Sequence, residues 1–145
     1  MPDDKQAIWS DLKLQVNTHL EQLWQTDWDT EVDNKLHEIR PNLKQILDFD
    51  ERLNRKQETV VSRLRIGHSW ITHGYLLKGQ QQPYCTACES PFTVKHILVE
   101  CADFLLSRQK YFKTTHMQTL FREVKASQIS DYLRLKYMAK SEANV

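Results

Sequence analysis

Glycine and proline are scarce in this chain, with three Gly and four Pro among 145 residues. An all-β sandwich or barrel needs a turn every few residues, and the residues that build such turns are missing here. No apolar run approaches the roughly 18 to 20 residues that a membrane helix requires, so no membrane association is expected. The opening residues, MPDDKQ, lack a basic stretch followed by an apolar one, so no secretory signal is read there. An intracellular location is expected, with nucleus and cytoplasm both open. Cysteine is sparse and odd in number, three in all. An odd count without a secretory signal argues against a disulfide framework.

What is present suffices for a folded body. Hydrophobic residues make up 40%, aromatics 10% and charged residues 27%, which is richer in large apolar groups than a disordered chain would be. The formal net charge of +1 conceals a division. Residues 1–50 hold 5 Lys+Arg against 11 Asp+Glu, a net of −6, while residues 51–145 hold 15 against 8, a net of +7. An acidic arm beside a basic body is the pattern of a protein whose second part meets a polyanion. Mutual neutralisation of the two parts explains it equally well.

Hydrophobic spacing predicts mostly helices. Residues 1–30 read as an acidic amphipathic helix, with Trp9, Leu12, Val16, Leu20, Leu23 and Trp24 on one stripe. It should fade near Thr26–Asp29. Residues 31–50 read as a connector holding at most one short helix or strand. Residues 51–140 form a basic helical body. Its first helix carries Leu53, Val60, Val61 and Leu64 and stops at Gly67. A short helix covers Ser69–Leu77 and closes at Gly79, residues 80–92 are a loop, and a further helix begins at Ser90-Pro91 or Thr93. Helices at about 102–113, 115–124 and 127–138 follow, with Phe104, Leu105, Tyr111, Phe112, Leu120, Phe121, Ile129, Tyr132, Leu133 and Leu135 as apolar candidates. The tail 141–145 should be loose.

The three cysteines fall within 17 residues, and His96 lies among them in the order C-x2-C-x7-H-x4-C. Three thiolates lack one donor for a tetrahedral zinc, and an imidazole would complete the set. Cys85, Cys88, His96 and Cys101 are therefore the candidate ligands of one structural zinc, with His68 and His73 as alternatives for the fourth position. Four protein ligands leave no place for the water that a catalytic zinc needs. There is a geometric condition. On a continuous α-helix, residues five apart point roughly 140° apart, so the helix must loosen or stop just before Cys101. Buried inert thiols or a redox dithiol at Cys85 and Cys88 are the competing readings. The fold class that results is mainly α, a small multi-helix domain with a zinc-clasped loop and helix at 85–101.

The string RLRIGHSWITHGYLL (63–77), followed by PYCTAC (83–88), TVKHILVEC (93–101) and Arg108, resembles the C-terminal region of Jockey-type non-LTR retrotransposon polyproteins, downstream of reverse transcriptase and RNase H. The likeness extends upstream through Trp24, Trp28, Lys35-Leu36 and Ile39-Arg40-Pro41. It implies a zinc-knuckle-like element, with Cys85, Cys88, His96 and Cys101 in the family's Cys-Cys-His-Cys positions, that helps engage template RNA or target DNA. One departure is Trp70, at a position where a smaller or basic residue would be expected. Compared with the short retroviral knuckle, C-x2-C-x4-H-x4-C, the gap before His96 is three residues longer.

Three functional readings follow. The first is a non-enzymatic zinc module contacting RNA or DNA, with Arg63, Arg65, Lys78 and Lys95 as phosphate partners and Tyr75, Tyr84 or Phe92 for stacking. For Arg63 and Arg65 the plain alternative is a solvated helix face or internal ion pairs. The second is a protein-interaction module, or a domesticated or decaying fragment, whose N-terminal helix docks on a partner through Trp9, Trp24 and Trp28. Those same tryptophans could instead bury against the basic half. The third, an RNase H-type nuclease part, lacks the carboxylate cluster that two metal ions would require.

Overall fold

The computed structural model describes residues 4–45 and 50–142, with side chains from 6 to 45 and from 50 to 135. The chain is mainly helical and divides into two compact units, Met1–Ile46 and Leu47–Val145. Among the described residues, no helix is long and apolar enough to cross a membrane.

The first unit is built on α1 (Asp4–Asp29) and α2 (Lys35–Ile39). The Asn34 side chain caps α2 by accepting from the Leu36 amide. Two side chains of α1 fold the following segment back onto its end. Trp28 Nε1 donates to the Arg40 carbonyl at 2.7 Å, and Gln25 both donates to the Pro41 carbonyl and accepts from the Leu43 amide. The Arg40 guanidinium reaches the Leu43 carbonyl. Ile39 is the buried apolar residue beneath this turn. The stripe predicted for α1 is helical but not covered, since Trp9, Leu12, Val16, Leu20, Leu23 and Trp24 are all exposed. Ile8 and Leu14, off that stripe, are exposed as well, so apolar surface runs around much of the helix.

The second unit holds α3 (Arg55–Arg65), α4 (Trp70–Lys78), a small hairpin of β1 (Tyr84–Cys85) and β2 (Ser90–Pro91), a π-helical turn (His96–Glu100), α5 (Leu105–Gln109), α6 (Met117–Glu123) and α7 (Ala126–Glu142). The start of α3 is fixed by a reciprocal cap. Asn54 accepts from the Gln57 amide, and the Gln57 side chain accepts from the Asn54 amide. It ends in a Schellman turn, with the His68 amide reaching the Arg63 carbonyl and the Gly67 amide reaching Leu64. Gly67 adopts φ 74° there, a left-handed value that a Cβ would penalise. Ser69 caps α4 through the Thr72 amide.

α3 and α7 pack side by side. Val61 and Leu64 of α3 and Ile129, Tyr132 and Leu133 of α7 are buried, as are Phe112, Leu120 and Phe121. Each such side chain contributes about 1.5–3 kcal/mol on burial. Leu105 and Leu135, read above as apolar candidates, are instead 46% exposed. Asp50 ties the two ends of this layer, accepting from Arg52 and from the Ser127 amide at the start of α7. Its carboxyl is held well below the usual range, chiefly by the Arg52 hydrogen bond and then by Ser127. The stretch 80–92, expected as a loop, contains the hairpin, paired Tyr84 with Pro91 and Cys85 with Ser90. Two residues per strand are too few to show alternation in a sequence.

Candidate metal centre

The hairpin and the π turn bring together Cys85, Cys88, His96 and Cys101, whose ligand atoms all lie within 4.8 Å of one another. Cys85 ends β1 and Cys88 lies in the turn that returns to β2. Glu89, directly after it, takes φ 49° to reverse the chain. The sulfur of Cys101 stands 3.8 Å from that of Cys85 and 3.9 Å from that of Cys88. A tetrahedral ion with metal–sulfur bonds of about 2.3 Å has sulfur–sulfur edges of about 3.8 Å, so these two separations match those of a shared ion.

The condition placed on His96 and Cys101 is met by widening the helix. Thr93 begins the turn conventionally, its hydroxyl accepting from the His96 amide and its carbonyl from Ile97. The Cys101 amide then bonds to the His96 carbonyl, five residues back, at 2.7 Å. A bond across five residues stacks the first residue on the sixth, as a bond across four does in an α-helix. The imidazole and the thiol thus share one face.

This widening leaves Ile97 without its α-helical partner, because the amide that would reach its carbonyl is that of Cys101. The Tyr132 hydroxyl, fully buried on α7, donates to that carbonyl at 2.9 Å. Burial pushes the Tyr132 hydroxyl well above its usual pKa, so it stays a donor. Arg108, 5% exposed on α5, donates to the Cys101 carbonyl at 2.6 Å. Two elements outside the motif therefore clamp its backbone.

Three of the four residues are buried, and Cys88 is half-buried. Ser90 Oγ lies 3.3 Å from His96 Nδ1, and Glu100 stands 4.0 Å from the same nitrogen. The buried Nε2 of His96 has no hydrogen-bond partner, which leaves it as the nitrogen available to a cation. A ring nitrogen held by a neighbouring hydroxyl or carboxylate is the usual way a ligating histidine is oriented. The Cys85 thiol is lowered to about 7, first by the His96 ring and also by the Cys88 amide. Burial raises Cys101 to about 11, opposed by the amides of Phe104 and Asp103. Amides turned toward both sulfurs favour thiolates over thiols. Phe92 packs edge-on to His96 and stacks with Phe104, forming an apolar wall for the cluster.

His68 and His73, the alternative fourth ligands, pack against one another with ring centroids 4.1 Å apart and planes tilted by 34°, and Thr72 Oγ1 holds His73 Nδ1. They are not part of the cluster found among the described residues. The four cations read as phosphate partners are distributed differently. Arg63 is exposed on α3, while the Arg65 guanidinium lies 5.8 Å from the Phe121 ring centre. Lys78 lies 5.5 Å from the Trp70 ring centre, and Lys95 is 4.0 Å from Glu100 beside the cluster. Phe92 is buried in the cluster wall, whereas Tyr84 is exposed. Arg108 stands in the sequence resemblance and Tyr132 among the apolar candidates, but the supporting roles of these two and of Ser90 depend on contacts between separate elements that the sequence does not spell out. No protein-family model matches the chain, and comparison with curated proteins and with solved structures returns no match.

Proposed function

We propose that Cys85, Cys88, His96 and Cys101 hold one structural zinc ion and that the resulting module contacts nucleic acid without catalysing a reaction. The observation that carries the zinc reading is the convergence of four donors within 4.8 Å, with sulfur spacings near the edge of a zinc tetrahedron. Three soft sulfurs and one imidazole favour zinc among the common divalent ions. A bound cation would also offset the cost of an ionised Cys101 in a buried site, since coordination deprotonates a thiol outright. Four protein donors fill the coordination sphere, which suits a structural role better than a Lewis-acid one.

The nucleic-acid part rests on the basic second half and on the resemblance to Jockey-type retrotransposon polyproteins, whose Cys-Cys-His-Cys element this motif would represent. Arg63, Lys78 and Lys95 are its exposed candidate phosphate partners. Arg65 would contribute through the rim of its guanidinium above Phe121.

Native mass spectrometry with metal analysis tests the zinc reading. One zinc per wild-type chain and weakened retention in His96→Ala are expected; a metal-free wild type purified with zinc present would overturn it. Affinity for RNA and DNA should fall linearly in log salt, and no binding at low salt would remove the nucleic-acid reading.

A second reading, a protein-interaction module, is favoured by one observation. Trp9 and Trp24 of α1 are 69% and 65% exposed, and tryptophans so placed are common interface anchors. Light scattering of the purified chain would support it by showing an assembly that dissociates on Trp9→Ala.

A further inference from the structure

We propose that the outward face of Trp70 is a stacking platform for one base of a single-stranded nucleic acid, with Lys78 set to meet a neighbouring phosphate. This deepens the nucleic-acid reading above and rests on it, adding the form of the polymer and the point of contact.

Trp70, Gly74 and Lys78 follow one another at four-residue steps and so share one face of α4. Gly74 is what lets the indole lie down. A Cβ at that position would stand 3.1 Å from Trp70 Cδ2, 3.2 Å from Cε2 and 3.4 Å from Cε3. Near-equal distances to three ring atoms place the flat of the indole, not its edge, over the glycine. One face is therefore spent on the helix, while Trp70 as a whole is 52% exposed. Leu77, 81% exposed, stands three residues beyond Gly74 and widens the apolar floor. Lys78 Nζ lies 5.5 Å from the ring centre, close enough to polarise a stacked base and long enough in reach to turn toward a phosphate.

Charge selects the occupant. Between Glu58 and Glu89 the chain has no acidic residue, while Arg63, Arg65 and Lys78 all fall in that interval. An apolar protein partner would use the floor but has no need of an acid-free stretch of chain. A single-stranded polyanion with unstacked bases uses both. Stacking on an aromatic is tolerant of base identity because every base has a π-face, and a duplex, whose bases are already stacked, offers no such face.

The test is fluorescence anisotropy of the zinc-loaded full chain with labelled oligo(dT) and oligo(U) of about a dozen nucleotides and with a duplex of equal length. The two single strands distinguish DNA from RNA as the source of the bases. Single strands should bind in preference to duplex, and Trp70→Ala should weaken them by about 5- to 100-fold. Trp70→Phe should restore most of the affinity. Lys78→Gln should lower the slope of log affinity against log salt by about 0.7, whereas Trp70→Ala should leave that slope alone. Should Trp70→Ala lose its zinc, Trp70→Leu, which keeps apolar cover without a ring, replaces it. If Trp70→Ala binds like wild type while Arg63→Gln is weakened, the platform is overturned and the nucleic-acid module stands. Equal binding of duplex, indifferent to Trp70, likewise overturns the platform. If wild type binds none of these at low salt, both ideas fall together.

Discussion

Between residues 4 and 45 the chain leaves a 26-residue helix with its large apolar side chains in solvent, and the fold-back at its end depends on polar contacts spanning 12 to 18 residues. Between residues 50 and 142 the elements are shorter, yet their decisive bonds reach across the sequence, 35 residues from Tyr132 to Ile97 and 77 from Asp50 to Ser127. The first region should open piecemeal, because few buried contacts oppose local fraying. The second should behave as one cooperative body whose polar groups are satisfied only when distant elements are in place. A metal ion would therefore matter in the second region and not in the first. It would join a two-residue-per-strand hairpin to a widened turn whose Ile97, Leu98 and Val99 are already buried.

The largest expected effect follows from removing that ion. Chelation of the zinc-loaded chain should abolish hydrogen-exchange protection across residues 55–135 and leave residues 10–45 unchanged. Structural zinc sites contribute about 10–16 kcal/mol, at least as much as the roughly 5–15 kcal/mol that holds a whole domain together. Equal loss in both regions would break the comparison, and no loss in either would break the zinc reading with it.

A smaller change sharpens the same contrast. Tyr132→Phe leaves the Ile97 carbonyl buried without a donor, at a cost of about 1–3 kcal/mol. The urea midpoint of the second region should drop and zinc should be lost at lower chelator concentration. Trp28→Phe, which removes a comparable side-chain-to-carbonyl bond in the first region, should leave both readouts alone and raise exchange only near residues 35–45. A Tyr132→Phe protein as stable as wild type would mean that the widened turn needs no outside clamp.

Much of this arrangement is legible in the sequence where the cause is local. Ser69 and Gly79 bracket α4 because a hydroxyl at one end and a left-handed residue at the other are short-range requirements. Asn54 starts α3 at Arg55, past the Leu53 that the apolar spacing assigns to the helix, through a cap that the spacing alone does not show. The five-residue step from His96 to Cys101 states a problem openly, that an α-helix turns the two apart. Its solution by widening is written elsewhere, in Tyr132 and Arg108, and cannot be read from the motif. The apolar stripe of α1 marks a helix correctly, but the pattern alone does not say whether anything covers it. Leu105 and Leu135 failed as core residues for the same reason.

The smallest effect concerns the turn that presents Cys88. Glu89 holds φ 49°, and a side chain in that region costs about 1–2 kcal/mol relative to glycine. Glycine, however, is freer in the unfolded chain, which returns about 0.5–1 kcal/mol of the gain. Glu89→Gly should therefore stabilise the second region by no more than about 1.5 kcal/mol. The substitution also removes a carboxylate one residue from a thiolate ligand. A site of three thiolates, one neutral imidazole and a divalent cation carries a net negative charge, so losing a nearby acid should not weaken metal retention. A higher urea midpoint with unchanged or tighter zinc is the expected pair of results. A lower midpoint would show that the Glu89 side chain holds the knuckle by a contact of its own, and that the hairpin, like the first region, depends on local polar bonds as well as on the ion.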